Sequence, residues 1–578
     1  MFYTGGARHL DTANKPDGAD ERDGDLPRDG QWHEVVGLNE KVKAVSTAVF
    51  YDDVNLGNVC GLSLTQIILK VFEMAHVGTL SPFALSQLKE RKIIFLLFCV
   101  AAIHVFIFSA AFPFFTNIDE PIHFDLVVKY SHGHVPRKLE AVSPESSIYL
   151  SLYSSLAYLG TPDGFTDQKL PSPPWTQSVE KMQHDLALNS AAWQTQQNYE
   201  VSQPPLYYAL AGLWWHIGKW CGFEGGRLLY WLRFLNILMA GALVWIGYAA
   251  AKLIFPGHLF LRMAVPTLLA FLPQSAFYSI ENDILSPLCF GLLLVCTYNW
   301  MSADVPSVRL GFLTGLVFAA TFLTKLTNLP LLIVTGGFIF FKMWHLHKSE
   351  ILRISYPALA AFSLSAGLPI ASWLAWCKYN FGDFSGSELK IEHFGWIHKP
   401  YSEWWHHPIF MPGGLWTFLS GLMSTFWQGE FWWHNKPMAL PTVDMIYTIT
   451  SICFVVMALI ALFSKKNTES KLQHEALVLV FCSFVAMIVF FGFLSIIYDF
   501  NGCPNPSREH PYFTSGRLIL GALIPFLLVF VFGLDRTLGR FGNVMKFSVL
   551  GGIIFFMLTS EIIIDWPAFS NEFNWFHL

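Results

Sequence analysis

An Asp-Glu pair follows the first long apolar run, in FFTNIDEPIHFDLVVKYSHGHVP (114–136). Carboxylates at a membrane boundary can take a proton from a hydroxyl, and their oxygens can hold a divalent cation such as Mg or Mn. Asp119 is therefore a candidate general base and Glu120 its catalytic companion. His123, four residues after Asp119, shares its face if a helix starts here. The same residues also suit an ordinary helix start, with Asp119 as N-cap and Pro121 in the first turn. In NYEVSQPPLYY (198–208), Glu200 and Tyr207 flank a rigid double proline and are candidates to touch a sugar or acceptor, or simply open a helix. FYSIENDILSP (277–287) places Glu281, Asn282 and Asp283 between two apolar runs, and acids so close to membrane segments are costly and tend to be functional. Asp119 with Asp283 is the candidate metal pair.

Cations complete the set. Lys325, in FLTKLTNLP (322–330), stands alone in a long apolar stretch and either snorkels or meets an anionic lipid phosphate. Arg508 and Arg517 lie in NPSREHPYFTSGRLILGALIP (505–525). Arg517 opens an apolar run on the side that basic residues usually avoid, so it needs an anionic partner, and guanidinium binds phosphate bidentately. SGLMSTFWQGEFWWHNKPM (420–438) offers Trp427 and Glu430, which suit either a sugar ring or an interfacial aromatic belt.

The elements that must position these residues are membrane helices. The chain has 578 residues, 53% hydrophobic and only 14% charged, with a mean hydropathy of +0.42; a soluble domain carries about 25% charge. That excludes an ordinary soluble enzyme and a disordered chain, and the net charge of -5 gives no sign of nucleic-acid binding. Apolar runs predict eleven crossings, near 93–113, 232–251, 263–280, 284–301, 309–323, 328–343, 355–377, 446–464, 476–498, 516–534 and 547–565. With that number, the basic clusters around Lys89, Lys252, Lys342, Lys465 and Arg536 share one side, with the N-terminus inside. Segment 204–220 is then a juxtamembrane or re-entrant helix on the outer side, an extra crossing being the alternative. Residues 1–92 read as a cytoplasmic polar tail that includes a weak surface-helix signal, and most of the nine cysteines sit in apolar runs as small buried residues.

Taken together, these motifs resemble the GT-C superfamily of polyprenyl-phosphate-sugar-dependent membrane glycosyltransferases, which includes protein O-mannosyltransferases and the lipid A aminoarabinose transferase. The Asp-Glu pair is similar to the superfamily's first outer-loop motif, QPPLYYAL to its H-P-P-L-Y-Y segment with Gln203 in place of His, ENDILSP to its second acidic motif, and GFLTGLVFAATFLTKLTNLP to its G-L-x-x-x-T-K hairpin. STFWQGEFWW and SGRLILGALIP resemble S-F-W and G-R-Y-L patterns of a bacterial membrane family in the same superfamily. The resemblance implies a GT-C-type bundle of about eleven transmembrane helices, with juxtamembrane helices in the first outer loop. It implies a catalytic module over 93–377 that includes outer loop 114–231, then a Trp-rich outer loop at 378–445 and C-terminal helices over 446–578.

The expected function is an integral-membrane, inverting transfer of a sugar from a polyprenyl-phosphate donor to a hydroxyl of a glycan, lipid or protein acceptor. The site would face outward, with a bacterial plasma membrane as the expected location. Lys325, Arg508 and Arg517 would hold the donor phosphate. Alternatives are a transporter or flippase of lipid-linked sugars, and a catalytically inert scaffold, which the Gln at position 203 keeps open.

Overall fold

The structure is a computed structural model that describes residues 87–578 except 118, 166, 349–351, 465–469 and 504. Residues 1–86 of the expected tail lie outside the described residues, whereas residues 87–92, also expected in that tail, belong to the first membrane helix, Gln87–Ala111. Among those described the chain is all-α apart from three two-residue strand pairs. Among the described residues, nine helical stretches are long and apolar enough to cross a membrane, and two shorter apolar helices, Leu259–Ala270 and Val308–Thr324, add to them. Each of the eleven expected crossings meets one of these helices. The protein is an all-α polytopic membrane protein.

In chain order the helices that matter here are α1 (Gln87–Ala111), α2 (Glu120–Ser131), α3 (Leu206–Trp220), α4 (Gly225–Arg233), α5 (Leu235–Ile254), α6 (Leu259–Ala270), α7 (Leu285–Ser302), α8 (Val308–Thr324), α9 (Leu329–Lys348), α10 (Leu352–Phe381), α11 (Pro412–Gln428), α12 (Pro441–Leu462), α13 (Lys471–Ile497), α14 (Leu523–Thr537) and α15 (Asn543–Phe569). α14 is apolar all round from Leu523 to Leu534 and is buried over that whole length, as expected of a helix at the centre of a bundle. α12, α13 and α6 surround it. α15 is tied to α1 by Glu561, which meets His104 Nε2 at 2.8 Å.

Contacts between helix ends sort the molecule into two poles. At one, Arg262 at the start of α6 pairs with Glu90 at the start of α1 at 2.7 Å. There too, Gln473 at the start of α13 donates to the Ile254 carbonyl at the end of α5. At the other, the turn after α1 meets the segment between α6 and α7, where Asn117 donates to Ser279 Oγ at 2.8 Å. The two poles lie at opposite ends of the same helices.

Two elements differ from expectation. The crossing expected over 263–280 is helical only to Ala270, and residues 271–284 form an irregular, fully buried segment with a short 3-10 turn at Ser275–Tyr278. Pro273 has no N–H to continue the helix and biases the residue before it away from helical geometry. Irregular backbone at such a position is tolerated where protein buries it. Similarly, the crossing at 516–534 opens as a 3-10 segment, Gly516–Ala522, before α14 begins. Segment 204–220 is the 15-residue α3, which packs along α2.

Candidate functional site

The irregular segments deliver the polar residues to one point. Asp119 stands at the N-cap of α2, yet its side chain caps no backbone N–H. Instead it accepts a hydrogen bond from Tyr199 Oη at 2.7 Å and an ion pair from Arg517. Arg517 sits in the 3-10 segment before α14, at the centre of four carboxylates. Besides Asp119, its guanidinium lies 3.3 Å from Glu281, 3.6 Å from Asp283 and 3.7 Å from Glu430. Lys325, at the C-cap of α8, pairs with Asp283 from the far side.

Two glycines permit this convergence. Gly516 lies against the α11 backbone at Phe426, so closely that a β-carbon would overlap it. Gly429 has φ +80° and no room for a β-carbon beside Ser275 and Gln274. It ends α11 and turns Glu430 so that its N–H donates to Ser275 Oγ at 3.0 Å.

The cluster has a rim and a floor. The side chains of Asp119, Arg517 and Glu430 keep 13%, 11% and 11% exposure, while those of Glu281 and Asp283 keep none. Polar atoms without hydrogen-bond partners concentrate here: Glu281 Oε1, Asn282 Oδ1, Asp283 Oδ2 and Arg517 Nε are all buried and unmatched. Such atoms are rare in folded proteins and mark a place where water or a ligand belongs.

Burial and charge set the protonation states. Burial works against ionising Asp119, but Arg517, Lys390 and His123 outweigh it and hold the carboxyl below its usual range. Asp283 is likewise lowered against its burial, by Lys325 and Arg517. Burial raises Glu281 well above an ordinary carboxyl, with Asp283 and Asp119 adding to the effect against Arg517. Burial also raises Glu430. Burial lowers His123 to about 4, so it is neutral at pH 7. The site thus combines two carboxyls held low by neighbouring cations, Asp119 and Asp283, with a buried Glu281 held high.

A surrounding layer includes other expected residues. His123 Nδ1 meets Tyr208 Oη at 2.7 Å. Tyr207 is fully buried beside Glu281. Glu200 pairs with Lys390 and accepts from Gln203 Nε2 at 2.6 Å.

Three expected site residues are elsewhere, and each needs correction. Glu120 faces away from Arg517. Its carboxylate takes two hydrogen bonds from Arg233 at 2.8 Å each, and one each from the N–H groups of Phe115 and Ile280 at 2.8 and 2.9 Å. It clamps the turn after α1 to the 271–284 segment, with no exposure, and is a positioning residue. Arg508 is exposed and bound bidentately to Asp499 at 2.8 Å, outside the cluster. Trp427 is 1% exposed, donates to Ser451 Oγ at 2.9 Å and packs on Tyr447 and Phe526, so no ring face is open to a sugar.

The expected metal pair is present but already engaged: Asp119 meets Arg517, and Asp283 meets both Lys325 and Arg517. Among the described residues, no group of three or more His, Cys, Asp or Glu side chains is arranged to hold a metal ion. The donor set therefore does not fit a divalent cation.

Arg233 and Lys390 lie outside every expected motif, and Tyr199 and Glu281 lie within motifs but have no specific role among the expected ones. Arg233 and Glu281 were detectable: Arg233 precedes an apolar run just as Arg517 does, and Glu281 stands two residues from Asp283.

Among solved structures the chain is similar to the archaeal oligosaccharyltransferase AglB from Archaeoglobus fulgidus, in complex with an inhibitory peptide and a dolichol-phosphate. The identity is 11%, the match covers 64% of this chain and 48% of AglB, and the TM-score is 0.30. The chain thus spans about half the length of AglB, and a likeness this slight carries no argument. No curated protein matches the chain. A family described as "Predicted membrane protein (DUF2142)" matches residues 102–498, well over half of the sequence, and the chain belongs to that family.

Proposed function

We propose that the protein is a membrane glycosyltransferase that uses a polyprenyl-phosphate sugar, with its reaction at the Arg517 cluster. One observation carries this reading: a guanidinium at the rim of the cluster, 11% exposed, flanked by an ionised carboxylate and backed by a buried lysine, at one pole of a bundle of apolar helices. Arg517 and Lys325 would bind the donor phosphate and stabilise its charge as the bond from sugar C1 to phosphate oxygen breaks. Asp119 would take the proton of the acceptor hydroxyl as that oxygen bonds to C1 from the opposite face, inverting the anomeric carbon.

Arg517 is shared between the two roles. In the resting site it holds Asp119 ionised and weakly basic. When phosphate engages the guanidinium, Asp119 loses part of that stabilisation and becomes a better base when the acceptor needs one. Donor binding thereby primes acceptor activation, and no step runs through a metal, so transfer is expected to persist in EDTA. The outward-facing site and the bacterial plasma membrane belong to this proposal.

The test is the purified full chain in liposomes with radiolabelled polyprenyl-phosphate sugar. Label appearing in an acceptor supports transfer. Label crossing the bilayer still attached to its lipid, with no product, replaces the enzyme reading with that of a flippase.

A further inference from the structure

The pole opposite the acid cluster has a cavity of about 770 Å³ that takes no part in the proposed chemistry. It lies among the start of α1, the end of α5, the start of α6 and the end of α7. Arg91, Lys252 and Arg262 line it together with Trp245, Tyr248 and Tyr298.

Its charge is unbalanced. Among the described residues the acid beside it is Glu90, whose carboxylate is occupied by Arg262 at 2.7 Å and by Tyr248 Oη at 2.7 Å. Among the described residues neither Arg91 nor Lys252 has a carboxylate partner. Lys252 lies over the Tyr248 ring, 5.4 Å from its centroid. Arg262 Nε is buried without a hydrogen-bond partner. Three cations facing one carboxylate leave an excess positive charge.

The cavity also continues into an apolar stripe. Trp245, Ala249 and Lys252 fall at i, i+4 and i+7 on one face of α5. Leu238, seven residues before Trp245, is on the same face and 53% exposed, outside the packed bundle. A headgroup in the cavity would have its acyl chains along that stripe, with Trp245 and the tyrosines at the depth where amphipathic rings sit in a bilayer. A free anion would use the cations and leave the stripe idle.

We infer that this cavity is a binding site for the phosphodiester headgroup of an anionic glycerophospholipid in the leaflet at this pole. Basic pockets between membrane helices suit such headgroups. The site is separate from the Arg517 cluster, and neither reading depends on the other.

The experiment is native mass spectrometry of the full chain, delipidated into neutral detergent and titrated with phosphatidylglycerol or phosphatidylcholine. The readout is the ratio of the two affinities within each protein, so that a general loss of stability cancels. The wild type should favour phosphatidylglycerol. The pair Arg91→Gln/Lys252→Gln should reduce that preference roughly tenfold or more, at a few-fold per cation near an anionic headgroup. The charge-keeping pair Arg91→Lys/Lys252→Arg should retain most of it. An unchanged preference in the glutamine pair overturns the assignment. So does complete displacement of phosphatidylglycerol by millimolar inorganic phosphate, which would identify a free-phosphate site.

Discussion

Asp119 and Glu120 are neighbours in sequence with opposite duties. Asp119→Asn should lower transfer by roughly 10²–10⁴-fold, the usual cost of losing a general base, with the fold intact. Initial rates at saturating donor check this, and a normal rate removes Asp119 from the chemistry. Glu120→Gln should act on folding instead. It leaves the buried Arg233 without its carboxylate, and breaking a buried pair from one side costs about 3–5 kcal/mol. Thermal unfolding in detergent should show a large drop, whereas Arg508→Ala should change neither unfolding nor transfer.

The same two residues show what the sequence could and could not give. Polar side chains at the mouth of apolar helices are conspicuous, and Asp119, Asp283, Lys325, Glu430 and Arg517 were all legible for that reason. Which way a side chain faces was not. Positions 119 and 120 diverge at a helix start, so one reaches Arg517 and the other Arg233, and the partner arginines lie 398 and 113 residues away. Arg508 looked equivalent to Arg517, but Asp499 claims it. Trp427 looked like a sugar platform because composition does not reveal that α12 and α14 cover both of its faces.

The raised carboxyls give the residue scale a pH signature. Glu281 and Glu430 are held above their ordinary range by burial, so they gain charge only as pH rises. Each new negative charge beside Arg517 repels an incoming phosphate. Donor KM should therefore increase toward alkaline pH, while Asp119, held low, stays ionised throughout. Glu281→Gln should flatten the rise. A KM profile identical to that of the wild type would show that Glu281 does not sense the donor.

Among the elements, the decisive ones are not the helices. Eleven apolar runs were readable from hydropathy and length, but the site sits where the helices break, between those runs or inside them: the turn after α1, the buried 271–284 segment, the turn at Gly429 and the 3-10 entry to α14. Hydropathy alone extends the 263–280 run past Ala270, because FLPQSAFYSI is still apolar; Pro273 is the signal that it stops. Gly429→Ala should test the element scale. It places a side chain at φ +80° against Ser275 and Gln274, displacing Glu430 from the rim. The expected outcome is a clear loss of transfer with a smaller change in unfolding temperature; unaltered transfer would show that the turn does not position the site.

For the whole molecule, an acid-rich pole, proposed to grip a lipid phosphate, and a basic pole, proposed to hold an anionic headgroup, stand at opposite ends of one bundle. The most direct test of the central claim is a cryo-electron-microscopy map of the full chain with a bound polyprenyl phosphate. Phosphate density within hydrogen-bond distance of Arg517 and Lys325, with Asp119 drawn away from the guanidinium, is the predicted result. Phosphate density elsewhere, with the Asp119–Arg517 pair intact, would contradict it.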